Sequence, residues 1–326
     1  MKKIFFTQLL LLIISAAFGQ QNKKIPPPSW GHYKKLSTYS SAPTKGMEST
    51  DTIRFQLQAG DTKVSHIERI PPGTLASKAG NGSKPGPVTK QPADLIVIGR
   101  KKEPFYLSKT EKFAIPDPPA NSSLQTRAEL DYLLQLQAQR TEEDIRASTF
   151  YAGVYFNADI GPSQKDYARF QGVLFHMGRS IGTWFNADSL PLMAKLIANV
   201  WMDGLYYIWT YKNYFLRIRP YILETKLKNT EQTNWAAYPS GHATSSYINA
   251  YLFSELIPEF SSFFIKDAYD MAHSREIIGV HFPSDSESGR VLAYQLVQRL
   301  LTNEAFKKDF SAVKEEVKKV KATKGF

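Results

Sequence analysis

From Ser123 onward, apolar residues recur three and four positions apart, which is the spacing of a buried helix face, as in Leu130, Leu133, Leu134 and Ala138. Further helices are predicted after Thr141, near 165–186, near 191–217, after Ser240 and from about Asp285 to Leu301. The alternation of apolar and polar residues that is typical of half-buried strands is nearly absent here. The pattern predicts an all-α main body of roughly 200 residues.

The region that precedes this body has a different composition. Residues 20–117 are rich in proline, glycine, serine, threonine and lysine, most plainly over residues 80–87, and only the runs 52–57 and 94–98 resemble strands. Such a composition predicts a mostly extended Pro/Gly-rich arm of low order, in which we find no catalytic motif. We expect the helical domain to cover residues 118–315 and a basic tail to follow at 316–326.

The N-terminus predicts export. Met1-Lys2-Lys3 is followed by an apolar run from Ile4 to Ala17 and then by Gly19, which together are typical of a secretory signal peptide over residues 1–19. The alternative is an uncleaved membrane anchor, which is less favoured because the run is shorter than the roughly 18 residues that a span needs. The mature protein is expected to be periplasmic or secreted, with no membrane span.

The charge of the chain is unevenly distributed, and cysteine is absent. Without cysteine, a disulfide framework, thiol catalysis and thiolate zinc sites are excluded. The formal net charge of +11 would suit a nucleic acid, a membrane surface or an anionic substrate. However, residues 120–300 hold 16 basic and 18 acidic residues, so the excess lies in the flanking segments. We therefore predict no nucleic-acid partner.

Three short segments concentrate cationic and imidazole groups, and the first runs from Lys212 to Pro220. Lys212 and Arg219 are seven residues apart, which is two turns of helix, so they are predicted to lie on one face. Arg217 lies about 140° from Lys212 around such a helix and is expected to point elsewhere. Pro220 is expected to stop the helix. Taken alone, this segment is equally compatible with a solvated basic patch.

The second segment contains Pro239, Ser240, Gly241 and His242. Proline followed by serine before a helical run predicts a helix N-terminus, and Gly241 lets backbone N–H groups approach a ligand. Such an N-terminus binds phosphate readily, through free N–H groups and the positive end of the helix dipole. The alternative for this segment alone is an ordinary helix cap beside an exposed histidine.

The third segment runs from Ser274 to Asp285. Arg275 is predicted on a helix, and His281 follows the break that Gly279 and Pro283 indicate. Asp285 can accept the Nδ1–H bond of His281 and leave Nε2 unprotonated. It could equally cap the next helix, and the two roles are compatible.

Together the segments supply two histidines, a carboxylate, three permanent cations and a helix N-terminus. Those are the groups that phosphoryl transfer through a histidine needs, because its catalysis is mostly positioning and charge neutralisation. The remaining histidines are expected to be structural or surface residues: His32, His66, His176 and His273.

The three segments also match a known tripartite signature, K-x6-R-P, P-S-G-H and S-R-x5-H-x3-D. In it the chain resembles the superfamily of type 2 phosphatidic acid phosphatases, bacterial class A non-specific acid phosphatases and vanadium haloperoxidases. Over about residues 118–315 it is most similar to the class A acid phosphatases. The resemblance implies a single helical bundle and an exported, metal-independent acid phosphatase that acts on small phosphomonoesters and can form homo-oligomers.

The resemblance also implies roles for individual residues. His281 would attack phosphorus and form a phosphohistidine, Asp285 would hold its tautomer, and His242 would protonate the leaving group and later activate water. The phosphate oxygens would be held by Lys212, Arg219, Ser240, Gly241 and Arg275. No cofactor is implied, and vanadate is expected to bind as an inhibitor or phosphate mimic. An acidic optimum is expected, because His242 must start protonated and an unperturbed histidine has a pKa near 6.5.

Other functions stay open at this point. A vanadate-dependent haloperoxidase would carry the same three motifs, and so would a lipid or polyprenyl phosphate phosphatase. A non-catalytic phosphate-binding or cell-surface protein is disfavoured, because binding alone needs neither a general acid nor an oriented nucleophile. The motifs do not identify the leaving group of the substrate.

Overall fold

The computed structural model describes residues 103–155, 167–179, 181–231, 233 and 235–324. The predicted signal peptide at 1–19 and the strand-like runs at 52–57 and 94–98 lie outside these residues. Within them the α-helices are α1 Leu124–Gln139, α2 Glu142–Ala152, α3 Tyr167–Leu174, α4 Pro191–Phe215, α5 Pro220–Leu223, α6 Gly241–Leu256, α7 Ser261–Ile277, α8 Pro283–Leu300 and α9 Glu304–Lys324. This part of the chain contains no strand, which confirms the predicted all-α body.

The helix starts follow local capping chemistry. The Ser123 hydroxyl accepts the Thr126 N–H at 3.1 Å at the start of α1. At α2, Thr141 and Asp144 cap each other, each side chain accepting the backbone N–H of the other residue. Pro191 occupies the first turn of α4, where its missing N–H costs no helix hydrogen bond.

The centre of the bundle is α6, which packs against both α7 and α8. Nearly every residue from Ala243 to Phe253 is buried, as expected of a helix enclosed on all sides. The closest approach is at Gly289 of α8, where an added Cβ would lie 2.9 Å from the Ser240 carbonyl oxygen and 3.0 Å from the Ala243 Cβ. A glycine at 289 therefore lets α8 lie directly against the N-terminus of α6.

Both ends of the described chain pack along α4. The Asp203 carboxylate accepts the backbone N–H groups of Tyr106 and Leu107 at 3.0 and 2.8 Å, so residues at the end of the predicted arm lie on the helical body. The last helix, α9, continues through residue 315 and buries one apolar face made of Phe306, Phe310, Val313 and Val317. No helix among the described residues is long and apolar enough to cross a membrane.

Candidate active site

Lys212 and Arg219 meet, but not by the predicted route. The helix α4 ends at Phe215, Leu216 has the left-handed φ of 50°, and Arg219 is the N-cap of α5 with Pro220 as its first residue. The predictions that both cations share one helix face and that Pro220 stops that helix were therefore wrong. The chain leaves the helix early and turns inward, and the Ala236 carbonyl oxygen then accepts from Lys212 Nζ at 2.6 Å and from Arg219 Nη2 at 3.2 Å.

Arg219 is held by backbone carbonyls on several sides. Its Nε donates to Trp235 O at 2.8 Å and its Nη1 to Val280 O at 2.7 Å. The same Nη1 lies 2.9 Å from His281 Nε2. Burial lowers the pKa of Arg219 to about 10, so the guanidinium remains charged at any pH at which the protein would act.

His281 is fixed through both ring nitrogens. Gly279, with a left-handed φ of 73° that favours glycine, turns the chain out of α7. His281 Nδ1 then lies 3.0 Å from Asp285 Oδ2, while Nε2 faces Arg219. Because a guanidinium can only donate, Nε2 must accept and Nδ1 must carry the proton. Burial and the Arg219 charge hold the pKa of His281 well below its usual range, so Nε2 keeps its lone pair.

Asp285 combines the two roles that the sequence left open. Its Oδ2 accepts from His281 and also from the Phe282 N–H at 2.9 Å, in the first turn of α8. Burial raises the pKa of this carboxyl, but the Arg217 guanidinium and the hydrogen bond from His281 outweigh it and lower the pKa to about 2. Asp285 is therefore an anion that orients the imidazole and caps a helix.

The second segment forms the start of α6, as predicted. The Ser240 hydroxyl accepts the Ala243 N–H at 3.3 Å, and the Ser240 N–H donates to the Asp285 carbonyl oxygen at 2.9 Å. The helix start is thereby tied to α8. A Cβ on Gly241 would lie 3.6 Å from Ile208 Cγ2 and 4.0 Å from Lys212 Cε, so the backbone there lies close to the Lys212 side chain.

His242 lies half-buried on the first turn of α6. Its Nε2 is 3.0 Å from the Ala152 carbonyl oxygen, which can only accept, so Nε2 carries a proton and Nδ1 remains for proton exchange. Burial, with the charges of Arg275, Lys212 and Arg219, lowers the pKa of His242 to about 3. With this pKa the imidazole is neutral at mildly acidic pH, contrary to the expectation based on an ordinary histidine.

Arg275 is buried on α7, where its Nη1 donates to Ser148 O at 3.1 Å. Its Nη2 donates to the carboxylate of Glu231, which lies in the loop between α5 and α6. Sequence reasoning missed Glu231, since it belongs to no motif and no periodic pattern. The Glu231 carboxylate thus pairs with the Arg275 guanidinium, which was predicted to bind phosphate.

Sequence reasoning also missed the buried groups behind Asp285. Arg217 points away from Lys212, as expected, and it donates to Asp285 Oδ1 at 2.8 Å, to Ser284 Oγ at 2.7 Å and to Glu129 Oε2 at 3.3 Å. Burial raises the pKa of Glu129 to about 7, against the lowering effect of Arg217. Glu129 lies beside Leu130 on the buried face of α1. A carboxylate next to the predicted buried positions of this helix was the sequence signal that could have identified it.

The predicted residues converge on one cavity of about 520 Å³. Its polar side is formed by Lys212, Arg219, Gly241, His242, Arg275 and His281. Ser240 and Asp285 support that side from behind through the contacts described above. No group of three or more metal-ligating side chains occurs in the described part of the chain. His273 is buried elsewhere, 2.7 Å from Glu276 and stacked on Tyr269.

Comparison with known proteins agrees with the three motifs. Residues 191–306 match the model of the PAP2 superfamily and include all three segments. A non-specific acid phosphatase of Salmonella typhimurium is 27% identical over 225 residues, covering 66% of this chain and 84% of the relative. One of Providencia stuartii is 30% identical over 157 residues, covering 46% and 63% respectively. The predicted resemblance is confirmed.

Among solved structures, the crystal structure of the first bacterial vanadium-dependent iodoperoxidase is similar at a TM-score of 0.48 and 17% identity. The similarity covers 76% of this chain and 68% of that one.

Proposed function

We propose that this chain, a phosphatase of the PAP2 superfamily, hydrolyses phosphate monoesters in two steps through a phosphohistidine on His281. The observation that carries the proposal is the double fixation of His281. Asp285 holds Nδ1 as the protonated nitrogen, and the hydrogen bond from Arg219 marks Nε2 as the nitrogen that carries the lone pair. An imidazole in this tautomer beside permanent cations is an oriented nucleophile for phosphorus.

The phosphate group would bind among Lys212, Arg219, Arg275 and the N–H groups at the start of α6. These cations are buried, and burial together with Arg219 holds the pKa of Lys212 well below its usual range. A dianion placed among them would offset their mutual repulsion, and the helix dipole adds to the attraction. Anion binding therefore stabilises the charged form of the site, with no step that requires a metal ion.

In the first step, the Nε2 lone pair of His281 attacks phosphorus and the bond to the leaving-group oxygen breaks. His242 gives a proton to that oxygen, and the product is an alcohol and a phosphohistidine. In the second step, His242 takes a proton from water, the water oxygen bonds to phosphorus and the P–N bond breaks. Inorganic phosphate leaves, and both imidazoles return to their starting states.

His242 must gain a proton before the first step. Burial and the charges of Arg275, Lys212 and Arg219 hold its pKa at about 3. A bound phosphate dianion offsets most of that positive charge and raises the pKa. Substrate would therefore bring about the protonation of its own general acid, which favours acidic to neutral working pH.

The test is hydrolysis of 4-nitrophenyl phosphate by the purified protein in the presence of a chelator. We expect turnover in the wild type and none in His281→Ala. His273→Ala is the matched control, because His273 is equally buried but lies outside the cavity. Loss of activity on chelation, or full activity of His281→Ala, would contradict the mechanism.

Export is the second part of the proposal and rests on the signal-like residues 1–19. Fractionation of expressing cells, with N-terminal sequencing of the product, tests it. A mature N-terminus near residue 20 in the periplasm or medium is expected, and an intact Met1 in the cytoplasm would contradict it.

A further inference from the structure

The apolar side of the same cavity is lined by aromatic rings that the proposed reaction does not use. We propose that the leaving-group side of this cavity selects phosphate monoesters of planar aromatic groups. The inference rests on the proposed phosphatase function and adds its substrate class.

One helix face connects these rings to the phosphate-binding cations. Trp201, Leu205, Ile208 and Trp209 of α4 line the cavity together with Lys212. At about 100° per residue, all five lie within an arc of about 100°. Trp201 and Lys212 are eleven residues apart, which corresponds to about 16 Å along the helix axis. The apolar wall therefore extends so far from the phosphate-binding cations that only a sizeable leaving group would reach its far end at Trp201.

The rings are arranged as two pairs from separate parts of the chain. Tyr155, just after α2, is stacked on Trp201 with centroids 5.3 Å apart and planes at 13°. Trp235, in the loop before α6, meets Trp209 edge to face at 4.9 Å and 68°. All four rings line the cavity. Ring faces and edges attract another ring beyond simple burial of area.

The same wall disfavours strongly hydrated leaving groups. A sugar would lose water from each hydroxyl on entering, and the aromatic faces offer no matching partners. Thr230, Thr233 and the Glu231 carboxylate lie on the loop side of the cavity, and Glu231 already pairs with Arg275. The chemistry of the wall therefore favours a flat, sparsely polar ring.

The test compares substrates with equally reactive leaving groups. Benzyl phosphate and cyclohexylmethyl phosphate both release a primary alcohol of similar size, and only the first has an aromatic ring. We expect kcat/KM to be about tenfold higher for benzyl phosphate, the equivalent of about 1.4 kcal/mol.

One variant and its control assign the preference to the wall. Trp235→Leu removes a half-buried ring, and we expect it to bring the benzyl to cyclohexylmethyl ratio close to one. Phe260→Leu, at a half-buried aromatic residue outside the cavity, is the matched control and should leave the ratio unchanged.

The outcomes separate this inference from the proposed function. Hydrolysis of both esters at equal kcat/KM, or a preference for octyl phosphate over benzyl phosphate, overturns the aromatic selection and leaves the phosphatase intact. If no ester is hydrolysed, the proposed function fails. The dissociation constants of benzylphosphonate and cyclohexylmethylphosphonate then decide the inference, with tighter binding of the aromatic analogue supporting it and equal binding overturning it.

Discussion

Arg217 donates to Oδ1 of Asp285 at 2.8 Å, on the carboxylate oxygen that His281 does not use. The carboxylate is thereby held from both sides, with an imidazole on one oxygen and a buried guanidinium on the other. Arg217 in turn bonds Glu129, and the ring of Phe282 lies 3.9 Å from its guanidinium carbon. The orientation of His281 therefore depends on groups that line no part of the cavity.

Replacement of Asp285 by asparagine tests the tautomer directly. We expect Asp285→Asn to lower kcat by about 10³-fold, because an amide can donate to Nδ1 and leave the proton on Nε2. Phosphate binding should change little, since Lys212, Arg219 and Arg275 are untouched. Steady-state kinetics and a sulfate dissociation constant measure the two effects. A variant with normal kcat would contradict the role of Asp285.

Replacement of Arg217 by lysine tests the support behind Asp285. A lysine keeps the charge but cannot bridge two carboxylates with a planar fork, so we expect Arg217→Lys to lower kcat by about tenfold with little change in KM. Arg290→Lys is the control, because Arg290 is also buried and pairs with Glu287 outside the cavity. An equal loss in both variants would indicate a general effect on stability, which thermal unfolding would reveal.

The residues show where sequence reasoning succeeds and where it fails. The motifs found His242, His281 and Asp285 because a histidine, its orienting carboxylate and a helix start are close in sequence. They did not find Arg217, Glu129 or Glu231, whose contacts join segments 44 to 88 residues apart. Those pairings arise because α1 and the loop between α5 and α6 pack onto the site. No local sequence pattern predicts such packing.

Lys212 and Arg219 lie close together, but not because they share one helix face as the sequence pattern predicted. Their seven-residue spacing is correct for a helix, but α4 ends at Phe215 because Arg217 turns inward to reach Asp285 and Glu129. The tertiary demand of a buried guanidinium overrides the helical period. The two cations come together through the turn of the chain after Phe215, and the seven-residue spacing does not predict that turn.

Replacement of Glu231 tests whether its carboxylate competes with substrate. Because Glu231 pairs with Arg275, a phosphate must displace it or bind beside a negative charge. We expect Glu231→Gln to strengthen inhibition by inorganic phosphate by about three- to tenfold and to lower KM in parallel. Glu287→Gln, at the glutamate paired with Arg290, is the control. Weaker phosphate inhibition in Glu231→Gln would show that the carboxylate assists binding instead.

Anion binding should be coupled to proton uptake. Burial and the neighbouring cations lower the pKa of His242 to about 3, so this histidine gains affinity for a proton when a dianion binds beside it. Sulfate is a suitable probe because it stays a dianion between pH 5 and 8. Its affinity is expected to fall as pH rises.

Calorimetry in two buffers of different ionisation enthalpy counts the protons. We expect proton uptake on sulfate binding by the wild type and a smaller uptake by His242→Asn. Sulfate affinity that is independent of pH over this range would contradict the link between the bound anion and the general acid.

The central claim is that phosphorus becomes covalently bonded to His281. Rapid mixing with substrate, quenching in alkali to preserve a P–N bond, and mass spectrometry of the peptides test it most directly. The mechanism predicts a transient phosphate on His281 of the wild type and no such adduct in His281→Ala. It predicts a longer-lived adduct in His242→Asn, in which residue 242 cannot activate water. Full turnover without any phosphate on His281, or with the phosphate on another residue, would contradict it.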